Sequence, residues 1–141
     1  MKLSSKYIAL FAVLLTAAAT SCTCNDGNIG FWFGQWKVSS ISVNDTIATA
    51  QDGTLYFAFQ SGVISQKMVY STHAYDEAYG SWSENEAQKT VTLTFYEDLY
   101  KPIDGYLSTG DNILSYSHSG DNLTLTLADS TQTVVFKLVK W

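Results

Sequence analysis

The chain has 141 residues and a net charge of −5, from eight lysines, no arginine and thirteen acids. That length fits one domain, and an acidic chain without a guanidinium lacks the footprint of a nucleic-acid binder, so nucleic acid is excluded as a partner. Nine Tyr, seven Phe and four Trp against a single Pro favour strands over disorder or a helical bundle.

Lys2 and Lys6 precede an apolar run over residues 7–15 that continues into Thr16-Ala17-Ala18-Ala19. These are the charged, apolar and small-residue segments of a secretory leader. The run is short of the roughly 20 apolar residues a spanning helix needs. It ends in Ala19-Thr20-Ser21-Cys22, which resembles the lipobox of bacterial lipoproteins in the relaxed form of Bacteroidota, with Ala19 where Leu is usual. The resemblance implies cleavage ahead of Cys22, acylation of the Cys22 sulfur and amino group, and a lipid bilayer as partner. Acyl chains contribute about 0.8 kcal/mol per buried CH₂, enough for several of them to anchor a protein without a crossing helix. The expected organisation is a signal peptide over 1–21, a lipidated N-terminus and polar tether over 22–30, and one domain over 31–141. The expected location is the outer membrane, at its periplasmic face or at the cell surface.

The plainer reading is that Cys22 and Cys24 are ordinary exported cysteines. Only Thr23 separates them, so a disulfide between them would be strained. With Cys22 acylated, Cys24 remains a lone thiol. Processing removes two lysines and no acid, taking the net charge to −7.

Beyond the tether the pattern is one of strands. Trp36 and Val38, then Ile41 and Val43, alternate with a slip near Ser39-Ser40, which predicts a first strand bent by a bulge. Leu55, Phe57 and Phe59 alternate with Tyr56, Ala58 and Gln60, and Ser61-Gly62 turns the chain into a strand expected over 63–75. Asp76-Glu77 reads as a turn, 79–84 as a weaker strand, and 85–89 as the next turn. Val91, Leu93 and Phe95 give the clearest alternation. It fails over 97–109, which holds Pro102 between Tyr100 and Tyr106 and reads as a long binding-type loop. Gly110-Asp111-Asn112 and Gly120-Asp121-Asn122 each precede an apolar run and read as tight turns before strands at 113–117 and 123–127. A last strand covers 133–140.

Eight short strands without a helical period leave two all-β architectures, a closed up-and-down antiparallel barrel or a β-sandwich. Gly34-Gln35-Trp36 stands at the head of the first strand. Gly-x-Trp in that place is the signature of the lipocalin and calycin group, and the domain resembles the small lipocalin-like lipoproteins of Bacteroidota. The resemblance implies an eight-stranded barrel with Gly34 and Trp36 closing one end. Lipocalins commonly lay an Arg from the last strand over this Trp; here Lys137 or Lys140 is left to do so. The lipocalin Thr-Asp-Tyr motif does not occur.

No reaction is legible. Asp76/Glu77, Glu84/Glu86 and Glu97/Asp98 are paired carboxylates that read as solvated turn charges, although Glu84 and Glu86 share a face if their strand extends that far. His73 and His118 have no ligand at metal spacing, and no Gly-x-Ser-x-Gly occurs. No metal, no cofactor and no catalysis are expected. His73, Tyr75, Tyr79 and Trp82, with Tyr100 and Tyr106 from the long loop, are the candidate mouth of a cavity, since flat rings with polar tips suit amphipathic ligands or sugar faces. The alternative is that they fill and rim a core. The functional expectation is a membrane-anchored, non-enzymatic lipocalin-like lipoprotein binding a small apolar or amphipathic ligand. The alternative is an envelope interaction module that contacts a protein or glycan through exposed aromatics.

Overall fold

The computed structural model describes residues 30–48, 52–96, 99 and 106–141. Cys22, Cys24, the leader, most of the tether and Tyr100 lie outside these residues. Nine strands follow in order: β1 (Gly34–Val43), β2 (Thr46–Ile47), β3 (Thr54–Phe59), β4 (Val63–Val69), β5 (Tyr75–Asn85), β6 (Thr90–Phe95), β7 (Gly110–Ser119), β8 (Asn122–Ala128) and β9 (Thr133–Lys140). From β3 to β9 each strand pairs antiparallel with the next, β1 pairs with β3, and β1 also pairs with β9. The eight strands β1 and β3 to β9 therefore form a closed up-and-down barrel. The two-residue β2 is an addition hung from β1. A sandwich would leave the first and last strands without each other; their pairing from Trp36↔Lys140 to Val43↔Val134 rules it out.

Closure depends on the bend anticipated near Ser39. The register of β1 on β9 shifts between Val38 and Ser40, so Ser39 is an extra residue, and its hydroxyl donates to Lys137 O at 2.9 Å. A bulge sharpens local twist and switches which residues face inward, as the change from Trp36 and Val38 to Ile41 and Val43 requires. The first half of β1 thus serves β3 and the second half the β2 hairpin. That hairpin turns on Asn44 and Asp45, both at positive φ (49° and 64°), as a two-residue primed turn demands. The Asn44 side-chain oxygen also accepts from Thr133 N at 2.9 Å, tying the hairpin to the head of β9.

Two turns fall elsewhere than the sequence suggests. Asp76 and Glu77 are not a turn but the second and third residues of β5, opposite Met68 and Lys67. The chain reverses instead over 70–74, where Tyr70 N–H donates to Ala74 O, His73 takes φ 66°, and the Tyr70 hydroxyl meets Asp76 Oδ2 at 2.5 Å. Gly110-Asp111-Asn112 is likewise no tight turn. It opens β7, with Gly110 opposite Phe95, whereas the second copy does turn, through Gly120 and Asp121 between β7 and β8.

Alternation sends one side of each strand into a dense interior. Phe57, Phe59, Ile64, Val91, Leu93, Leu125, Val134 and Phe136 have no measurable exposure. Phe57 of β3 meets Phe136 of β9 edge-on at 6.0 Å between ring centres, on the inner side of the intervening β1. At about 25 cal/mol per Å² of apolar surface removed from water, burial of these side chains favours the closed sheet.

Candidate functional site

The barrel has two unlike ends and a patterned outer wall. The base gathers the start of β1, the end of β9 and the β3–β4, β5–β6 and β7–β8 turns. Trp36 is 1% exposed, its indole N–H donates to Trp32 O at 2.9 Å, and His118 stands edge-on to it at 6.4 Å. Of the two lysines left open by the sequence, Lys140 covers the ring, its ammonium 4.3 Å from the centroid and donating to Phe33 O. Burial holds the Lys140 ammonium below the ordinary lysine range, against an opposing pull from the Asp121 carboxylate. Gly34, at φ 110°, passes beneath this side chain. A Cβ there would stand 3.4 Å from Lys140 Cε and Nζ, in a conformation that L side chains rarely adopt. Gly34 and Trp36 thus stand together at one end.

Sequence reasoning missed Trp32. Its indole is buried among Phe59 (4.9 Å), Trp82 (5.5 Å) and Tyr116 (4.9 Å), and it forms part of the base. The signal was the Phe31-Trp32-Phe33 run, too apolar for the tether that precedes it. Trp82 donates its indole N–H to Gln60 O at 2.7 Å and meets Phe33 and Phe59 edge-on, so it belongs to this same structural cluster.

Tyr116 completes the base. Its ring is buried, and its hydroxyl donates to Glu84 Oε1 at the rim. Burial, the bond to Glu84 and the charges of Glu84 and Glu86 push the phenol up from 10.0 to about 12. A raised folded pKa contributes stability that is present below the unfolded value and lost as pH rises through the folded one. Stability is therefore expected to fall from pH 10 towards 12 more steeply in the parent than in Tyr116→Phe, in urea titrations across that range. Parallel slopes would show that the phenol is not held in this way. Glu86 itself lies in the β5–β6 turn beyond the end of β5, so the two glutamates do not share a strand face.

The opposite end carries the 70–74 turn and the 97–109 loop. From that loop Leu99, Tyr106 and Leu107 are buried, and the Tyr106 ring packs on Phe136 at 5.0 Å. The returning chain is clipped by Asn112, 5% exposed on the inner side of β7. Its amide nitrogen donates to Ser108 O (2.8 Å), Leu93 O (3.2 Å) and Gly110 O (3.2 Å), and its oxygen accepts from Ser108 N (3.0 Å). Such a buried amide, satisfied on both sides, fixes a loop more firmly than apolar contact alone. His73 and Tyr75 are exposed at this end, the Tyr75 ring lying under the Lys67 ammonium at 4.1 Å. The candidate mouth residues are thus distributed over the barrel. His73 and Tyr75 stand at the loop end, Tyr106 inside, Trp82 at the base, and Tyr79 on the outer wall.

An eight-stranded antiparallel barrel, closed at the head of its first strand by a Gly-x-Trp indole under a basic side chain from its last, is a lipocalin-like fold. The solved structures similar to the chain agree. One is a lipocalin-like protein from Bacteroides uniformis ATCC 8492, at 13% identity and TM-score 0.57, covering 79% of this chain and 100% of that one. Another is an uncharacterized protein from Bacteroides eggerthii DSM 20697, at 17% identity and TM-score 0.57, covering 78% and 99%. No family model and no curated protein sequence matches the chain.

Proposed function

We propose that the protein is a lipid-anchored, non-enzymatic lipocalin-like lipoprotein of the outer envelope that takes a small apolar or amphipathic molecule into its barrel. The observation that carries this reading is the inserted loop. Tyr106 and Leu107 supply buried apolar groups from a connection rather than from a strand, so an apolar guest would take their place. Binding is favoured over catalysis: the Tyr116 hydroxyl is engaged with Glu84 at the rim, and the non-aromatic polar residues buried on the inner wall, among those described, are the amides Gln66 and Asn112. Neither is an acid, a base or a nucleophile. The anchor rests on the leader and on the residues around Cys22.

Two readouts on the full chain test the proposal. Native mass spectrometry should find a small apolar molecule on the parent, and Tyr106→Ala should take up a fluorescent fatty acid more tightly. An empty parent together with no uptake by either protein overturns the carrier reading. Cys22→Ala should leave the membrane fraction, or remain unprocessed. Unchanged fractionation, with a free Cys22 thiol in the parent, overturns the anchor.

A further inference from the structure

The outer wall carries a groove that the lumen reading does not use. Its origin lies in strand register. Ala58 on β3 pairs with Ser65 on β4, and on either side stand Gln35 of β1 and Tyr79 of β5, giving the cross-strand row Gln35–Ala58–Ser65–Tyr79. The two central residues are small and the outer two are large, so the row is hollow in its middle. Above it the parallel row is Lys37–Tyr56–Lys67–Glu77, and Gln60 and Val63 close it below. The result is a depression of about 230 Å³ lined by these side chains except that of Lys37, which stands outside it. That is smaller than the roughly 300–1,000 Å³ typical of drug-sized ligand sites.

The lining is specific in chemistry. It offers two tyrosine rings, two carboxamides and one hydroxyl, and its only charges, Lys67 and Glu77, are cross-strand partners of opposite sign. A site without net charge selects a neutral guest, and amides with a hydroxyl select one that donates and accepts at many points. Aromatic faces beside them select a guest with a flat C–H surface. A pyranose ring meets all three requirements.

A second platform adjoins. Trp141 N–H donates to Gln35 O, extending the β1–β9 ladder by one residue. Its indole, 69% exposed, stands edge-on to Tyr56 at 5.7 Å with the Lys37 ammonium 5.0 Å above it. From β5 to β1 are three strand spacings, roughly 14 Å, more than one sugar ring covers. We propose that this wall binds a neutral oligosaccharide, one residue seated over Ala58 and Ser65 beside Tyr79 and the next lying against Trp141. The site is independent of the lumen and of any guest there.

Saturation-transfer NMR on the full chain in detergent micelles tests this, with methyl glycosides of glucose, galactose, mannose and N-acetylglucosamine and a tetrasaccharide of each. At least one tetrasaccharide should bind, and more tightly than its methyl glycoside. Ala58→Leu, which fills the floor, and Tyr79→Ala, which removes a wall, should each weaken binding tenfold or more with an unchanged unfolding midpoint. Trp141→Ala should weaken the tetrasaccharide and leave the glycoside unaffected. Tyr106→Ala should change neither, which separates this site from the lumen. If Ala58→Leu does not fold, Gln35→Ala takes its place. No transfer to any of the eight sugars, or equal binding after the groove is filled or its wall removed, overturns the proposal.

Discussion

Trp36→Ala is expected to cost about 3–5 kcal/mol, the range for truncating a large buried aromatic. The reasons are separable. The indole donates to Trp32 O and supports the Lys140 ammonium. Without it, a backbone acceptor and a half-buried cation face a cavity in place of a ring. A hydrogen bond contributes about 1 kcal/mol net and a partly buried cation–π contact about 1 more, so about 1–3 kcal/mol of the loss is cavity and transfer. Lys140→Met should therefore cost only about 1 kcal/mol, which a pair of urea titrations can separate from the larger loss. A Trp36→Ala loss below 1 kcal/mol, with an unchanged denaturant slope, would mean that Trp32 alone closes the base.

Gly80→Ala should be at least as damaging although it adds one methyl group. A Cβ at Gly80 would stand 2.0 Å from Thr94 O, 2.8 Å from Thr94 C and 3.0 Å from Phe95 Cα. These are backbone atoms of the strand it pairs with, and no rotamer change relieves the contact. The ladder has to open where Gly80 faces Phe95. Overpacking in a core usually costs about 1–3 kcal/mol, and here at least about 3 is expected because the obstacle is main chain. Ser81→Ala, one residue on and facing outward, should stay within about 0.5 kcal/mol. Chemical denaturation of the two variants side by side decides it: similar midpoints would show that β5 and β6 yield at little cost.

The sequence made the barrel's skeleton legible wherever alternation was strict. Leu55–Phe57–Phe59 and Val91–Leu93–Phe95 read directly as inward faces, and the slip near Ser39-Ser40 located the bulge to within a residue. Alternation does not mark where a strand stops, because exposed strand positions and turn positions are both polar. Ser71, Thr72 and His73 therefore passed for strand, and a left-handed φ at a histidine leaves no compositional trace. The two Gly-Asp-Asn copies differ for a positional reason. The first follows a loop that has already reversed the chain, so its Asn112 is free to face inward as a clip, whereas the second has to make the reversal itself. The site was less legible than the fold. Six aromatic residues close in sequence pointed to one mouth, but inside and outside alternate within β5, and Tyr79 and Trp82 are separated by that parity. The outer groove depends on Ala58 standing opposite Ser65, a cross-strand relation that no single segment contains.

The seam between β1 and β9 joins residues such as Ser39 and Lys137, 98 positions apart along the chain. Contacts of such long range form late, after the loop entropy of the intervening chain has been overcome. β9 must leave the ribosome before the cylinder can be sealed. Loss of β9 is then no local lesion. It bares one flank of β1 and one of β8 together, each a template for a foreign strand, and the closed barrel would become a seed for aggregates.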